Sequence, residues 1–161
     1  MATEKAILAD LSNTQHSAAV LFLLNEYAKD PMGGGEGLSE SVRQNLIPAL
    51  QARHDAHVIL IFVDNKPAAI AICFEGFSTF AARSLLNIHD FAVAAEFRGR
   101  GLAKILMNKI EEVARRLDCC KITLEVLEGN KVAQATYRAS GFAGYELDPL
   151  MGRAMFWQKK L

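Results

Sequence analysis

The run Arg98-Gly99-Arg100-Gly101-Leu102-Ala103 sets two glycines and two guanidinium groups where an apolar, strand-like segment over 86–93 gives way to an amphipathic helix. Strand, glycine loop and helix, in that order, make an anion site. The first amides of a helix have no partner within it and the macrodipole adds positive potential there, so a pyrophosphate can rest on backbone alone. Gly99 and Gly101 let the chain come close. The commoner phosphate loops are excluded. A nucleotide-hydrolysing loop needs Lys-Ser or Lys-Thr at the helix entrance, and a dinucleotide fold needs G-x-G-x-x-G in an early βαβ unit with an acid downstream.

Proton-transfer groups lie on either side of this loop. His89, in Ile88-His89-Asp90-Phe91, is a candidate base, since histidine ordinarily titrates near pH ~6.5. It reads equally well as a structural strand residue. Asp90 has three readings: it orients His89, accepts a substrate ammonium, or ties the strand to a neighbouring loop. Downstream, Asn130-Lys131-Val132-Ala133 leads to Tyr137 and then Gly141-Phe142, and a phenol is a candidate proton donor. Tyr137 also reads as an aromatic packing residue. Asp30, Glu36 and Glu75 are acids that either hold a cationic substrate or are solvated surface carboxylates. Phe74, Phe77, Phe80 and Trp157 are apolar walls for a substrate cleft, or core.

Ordinary elements position these groups. Residues 6–9 are a short strand candidate. Ser12 or Asn13 caps a helix to about residue 29, with Val20, Leu21, Leu24 and Tyr27 on one face, and Pro31 ends it. After the loop Gly33-Gly34-Gly35, Ser39 caps a second helix, which Pro48 should kink or shorten. Apolar runs over 57–63 and 67–74, joined by Asp64-Asn65-Lys66, read as a hairpin. Leu102, Ile105, Leu106, Ile110, Val113 and Leu117 keep helical spacing, with charges on the other face. Residues 121–126 alternate as a half-buried strand does, and 142–146 and 152–158 are candidates for closing strands.

Composition sets the frame. The 161 residues can bury one core and are read as a single domain over 1–161, with no run of the length and apolarity of a membrane helix. Eighteen basic residues balance eighteen acidic ones, so no global field draws the chain to nucleic acid or an anionic membrane. Cys73, Cys119 and Cys120 form an odd set, and the histidines are scattered at 16, 54, 57 and 89, so no metal is expected. Residues 1–5 lack the plan of a signal peptide, which makes the reducing cytoplasm the default compartment.

The pattern Arg98-x-x-Gly101-x-Ala103 resembles the pyrophosphate loop of the acyl-CoA-dependent, GCN5-related N-acetyltransferase (GNAT) superfamily. The Asn130, Ala133, Tyr137 and Gly141-Phe142 block resembles that family's second cofactor segment, in the right order and at the right distance. The resemblance covers residues 57–160 by motif and the N-terminal third by organisation. It implies an α/β (α+β) fold, a mixed, mostly antiparallel sheet of about seven strands with about four helices, splayed at a bulge in the cofactor strand. It implies acetyl-CoA as cofactor, held by Arg98, Gly99, Arg100, Gly101, Leu102 and Ala103, by backbone of Phe91, Ala92 and Val93, and by Asn130, Ala133 and Tyr137. Tyr137 matches the family's general acid. Phe77-Ser78-Thr79-Phe80 followed by His89-Asp90 is similar to the diamine acetyltransferase branch, with His89 where that branch has a Glu that acts as base. The activity implied is N-acetylation of a small primary amine by direct attack in a ternary complex, with Asp30, Glu36, Glu75 and Asp90 as candidate substrate-binding residues. A protein or peptide amino terminus is the alternative acceptor, and a non-catalytic acyl-CoA-binding sensor the alternative class. The family also implies a homodimer, with Met155-Phe156-Trp157 as its candidate contact.

Overall fold

The computed structural model describes residues 4–161; residues 1–3, part of the amino-terminal stretch read above, lie outside the described residues. Five strands form one sheet in chain order: β1 (Lys5–Leu8), β2 (Ala56–Val63), β3 (Lys66–Ser78), β4 (Arg83–Val93) and β5 (Ile122–Leu124). The first three junctions are antiparallel and the last is parallel. The β2–β3 turn is tighter than the three residues proposed from sequence. Asp64 and Asn65 alone carry it, at φ 48° and 62°, because the turns that match strand twist need left-handed central residues.

Strand alternation sorts the sheet into two faces. Val58, Leu60, Ile70 and Ile72 pack against Ala19, Val20, Leu23 and Leu24 of α1 (Thr14–Lys29) and Leu50 of α2 (Glu40–Gln51). Their neighbours in sequence, Ile59, Ile61, Ala69, Ala71 and Cys73, are equally buried and point to the opposite face. There α3 (Leu102–Arg116) supplies Leu102, Leu106, Met107, Ile110 and Val113, all buried. Each fully buried aliphatic side chain of this kind contributes about 1.5–3 kcal/mol.

The helix caps are local. Asn13 accepts from the amides of Gln15 and His16 at the start of α1, and Ser39 from Val42 at the start of α2. Pro48 does not shorten α2, which runs on to Gln51. A proline forfeits one hydrogen bond, and the last turn closes instead through the Ala52 amide on the Pro48 carbonyl.

Residues 125–161 form a second unit. Its helix α4 (Lys131–Ala139) is capped by Asn130, whose Oδ1 accepts from the Ala133 amide at 3.1 Å. Gly141, at φ 89°, follows α4. The closing strands expected over 142–146 and 152–158 do not form among the described residues. One antiparallel bridge, Glu146 with Arg153, stands in their place. A strand needs a ladder partner along its length, and here a 3-10 turn at Pro149–Met151 interrupts the segment. The sheet therefore counts five strands among the described residues, not about seven, while the four α-helices match expectation.

Candidate active site

The glycine loop has the backbone that its sequence demands. Gly99 and Gly101 sit at φ 77° and 79°, and a Cβ built on either would meet nothing within 4 Å. Gly101 is the residue before α3 and offers the helix no side-chain cap. Inside the helix the Lys104 and Ile105 amides close on the Gly101 carbonyl. Among the described residues no acceptor meets the amides of Gly99, Arg100, Gly101, Leu102 and Ala103. Five consecutive donors at the positive end of a helix are a cradle for phosphate oxygens.

The arginines of the loop are turned back onto the protein. Arg98 Nε donates to the Val93 carbonyl at 3.1 Å, and its terminal nitrogen donates to Asp30 Oδ2 at 3.2 Å. Arg100 donates to Glu4 at 2.8 Å and lies over the Phe97 ring, 5.6 Å from its centroid.

Before the loop, β4 carries a bulge. Ile88 pairs with Cys73 and Asp90 with Ile72, so His89 is the extra residue between two consecutive residues of β3. Regular alternation would send His89 and Asp90 to opposite faces. The inserted residue turns both toward α1: Asp90 opposes Ile72 of the α1 core, and the His89 ring meets Phe74 edge-on at 5.5 Å. His89 is exposed, whereas Asp90 is half-buried, and burial pushes its carboxyl up while His89 pulls the other way.

The parallel pairing with β5 covers Leu86, Asn87 and Ile88, and β4 continues past it to Val93. The Ala94 amide donates to Ala68 of the β3 side, so alternation gives Ala92 to the β3 ladder and turns the backbone of Phe91 and Val93 to the other edge. Of the three residues expected to offer backbone there, Ala92 is thus committed to the sheet.

The acids disperse. Asp30 follows α1; its Oδ1 accepts from the Met32 amide at 2.9 Å while Oδ2 holds Arg98, and these bonds, the Met32 one foremost, pull its carboxyl down. Glu36 is exposed in the glycine-rich loop. Glu75 opposes Leu86 on the α3 face and bonds His57 Nε2 at 2.7 Å, so it lies across the sheet from Asp90. The sequence marks Tyr27 only as part of an apolar helix face. Its hydroxyl is pushed up by burial first and then by Asp90 and Asp30. Nothing in the helical spacing distinguishes a tyrosine that packs from one beside a carboxylate; the approach of α1 to β4 does.

In the second unit, Asn130 caps α4, Ala133 receives that cap, and Tyr137 is buried with its ring 6.0 Å from that of Phe142. Among the described residues no three His, Cys, Asp or Glu side chains gather as a metal site, and no helix is long and apolar enough to cross a membrane.

Sheet, bulge and glycine cradle together define an acyltransferase-type fold, and comparison with known proteins agrees. The chain belongs to the acetyltransferase (GNAT) family, whose model matches residues 21–142. It is 31% identical over 81 residues to a thialysine N-epsilon-acetyltransferase of Caenorhabditis elegans, a match that takes in 50% of this chain and 50% of that protein. The chain thus spans half the length of that relative. Among solved structures, a probable acetyltransferase superposes with a TM-score of 0.78 at 20% identity, covering 97% of this chain and 99% of that one. The aminoglycoside N-acetyltransferase AAC(6')-Iy, solved in complex with CoA, superposes with a TM-score of 0.76 at 14% identity, covering 100% and 97%. At these identities the likeness is one of fold. Acetyl-CoA is the family's cofactor, and the open cradle at Gly99 and Gly101 fits its pyrophosphate.

Proposed function

We propose that this chain, as one domain over 1–161, is an acetyl-CoA-dependent N-acetyltransferase. Its acceptor is the primary amine of a small molecule, a polyamine, an amino acid or a related amine, which attacks directly in a ternary complex. The observation that carries the reading is the β4 bulge. It sets His89 and Asp90 on one face where β4 parts from β5, a few residues before a loop of open amides.

In this reading the amides of Gly99, Arg100, Gly101, Leu102 and Ala103, with Arg98, hold the pyrophosphate. Arg100, paired with Glu4, shapes the loop. Backbone of β4 before the loop would take the pantetheine arm, and Asn130 and Ala133 would hold the cofactor. When bound, acetyl-CoA supplies a thioester carbonyl already activated toward amines. The imidazole of His89 takes a proton from the substrate ammonium at its free ring nitrogen, leaving the neutral amine. Asp90, on the same face, stabilises the imidazolium that results. As the C–N bond forms and the C–S bond breaks, the Tyr137 phenol would give its proton to the departing sulfur, whose charge a closed cleft would otherwise leave poorly solvated. The surplus proton of the attacking nitrogen would pass through solvent to restore the phenol.

A homodimer and a cytoplasmic location belong to the same reading. The exposure of Met155, Phe156 and Trp157 supports the first, and three unpaired cysteines support the second. The test is free-thiol release from acetyl-CoA against diamines, amino acids, aminoglycosides and short peptides, with melting shifts recorded in parallel. Release with a small-amine class is the expected result. Release with peptides alone would move the acceptor to an amino terminus, and a melting shift without release would make the chain a sensor.

A further inference from the structure

Asp30 is an acid without the freedom to be a simple substrate carboxylate. Each oxygen has its own work: Oδ1 accepts from Met32 at 2.9 Å and Oδ2 from Arg98 at 3.2 Å. Its backbone is equally fixed, with its amide on the Tyr27 carbonyl at 3.0 Å and its own carbonyl accepting from Gly33 and Gly35 at 2.8 and 3.1 Å. The residue is a rigid post at the end of α1. Arg98 leans against that post from one side and against the Val93 carbonyl from the other, at 3.1 Å. Two of the five N–H groups of a guanidinium are used this way, and the Arg98 side chain is still 58% exposed. Three donors thus remain on a group whose orientation is set from two directions, one residue before Gly99.

We propose that Asp30 is a positioning residue for the cofactor: its ion pair holds the Arg98 guanidinium beside the glycine loop so that the remaining N–H groups meet the pyrophosphate. The inference rests on the acetyl-CoA site proposed above, and it moves Asp30 from the amine side to the cofactor side. A planar fork braced at two points loses little freedom when it takes a third partner, whereas an unbraced arginine must be ordered at the moment of binding. Lysine cannot replace it, because a point charge does not serve a carbonyl, a carboxylate and a phosphate in one geometry.

Calorimetric titration with CoA alone, with no acceptor and no turnover, tests this in the full chain. Asp30→Asn keeps an oxygen for the Met32 amide and removes the charge facing Arg98. It is expected to weaken CoA by about three- to ten-fold, in line with an exposed but braced ion pair. Arg98→Lys is expected to weaken CoA by a similar or larger factor, and Asp30→Asn added to Arg98→Lys to cost nothing further. A role for Asp30 only in the loop after α1 would instead give additive losses, which overturns the proposal. So does unchanged CoA affinity with a raised amine KM, which makes Asp30 an amine ligand. Tighter CoA binding in Asp30→Asn also overturns it, because Asp30 would then compete with phosphate for Arg98. Should Asp30→Asn fail to fold, equal CoA binding by wild type and Arg98→Lys would reject the proposal alone. Absence of CoA binding to the wild-type chain would reject the acetyl-CoA reading itself.

Discussion

Replacing Gly101 by alanine separates the binding role of the glycine loop from its folding role. The residue sits at φ 79° and ψ 4°, where an L side chain is strained, but the added methyl would meet no atom within 4 Å. Strain is then the only cost to the folded chain. Left-handed backbone costs an alanine about 1–2 kcal/mol, reduced by about 0.4–1 kcal/mol because alanine also restricts the unfolded chain. The net loss is about 1 kcal/mol, or a Tm lower by roughly 2–4 °C for a chain of this size. Binding should suffer more. A loop that shifts to relieve this strain parts its amides from the phosphate oxygens, and each charge-assisted hydrogen bond lost is about 1.5–3 kcal/mol. The Kd for CoA should therefore rise by at least about ten-fold. Gly34→Ala provides the control, since Gly34 has φ 119° and equally open space. It should lower Tm as well, with CoA affinity unchanged. Thermal melts and CoA titrations of both variants decide the matter. A Gly101→Ala protein with lowered Tm and wild-type CoA affinity would refute the cradle.

Gly33→Ala should be worse for stability than either, because the new Cβ would stand 1.9 Å from the Tyr27 carbonyl oxygen, a backbone atom that cannot step aside. An overpacking cost of about 1–3 kcal/mol gives a Tm fall of roughly 2–12 °C by calorimetry; an unchanged Tm would mean that the loop moves freely off α1. Asp90 has its carboxyl raised by burial, so its ionisation is unfavourable in the folded chain. The penalty is absent below the unfolded pKa and complete above the folded one, so Asp90→Asn should raise Tm at pH 7 and lose that gain as the pH falls toward ~4. A gain that persists at pH 3 would contradict this. Thiol titration of the native protein should find Cys119 and Cys120, both only partly buried, reacting ahead of Cys73. Cys119 should be slowed because burial pushes its thiol up, and Cys73 silent until unfolding, since Cys73 is buried and pushed up to about 12. Tyr137→Phe should lower kcat by about 10²-fold or more with CoA affinity retained; unchanged turnover removes the phenol from the chemistry.

The sequence alone determined what short-range physics controls. Asn13, Ser39 and Asn130 are helix caps because their side chains reach amides two or three residues away. Asp64-Asn65 turns a hairpin because left-handed backbone is cheap there, and the glycines of the loop are written for the positive φ they adopt. The amphipathic spacing of α3 declares its buried face. The local letters of the candidate site, the loop and the His89-Asp90 pair, were legible for the same reason.

Tertiary structure decided which of those letters meet. The bulge at His89 exists only as a count of β4 against β3, and that count puts Asp90 on the α1 face rather than the α3 face. Alternation along one strand sends Glu75 across the sheet to His57, although by composition it resembles Asp90. Asp30 and Arg98 are 68 residues apart and touch because α1 packs on the sheet whose next strand feeds the glycine loop. The apolar letters over 152–158 satisfy the pattern of a strand, yet among the described residues they make one bridge, Arg153 with Glu146. Register, face and partner are properties of two segments at once, and one segment's sequence carries only half of each.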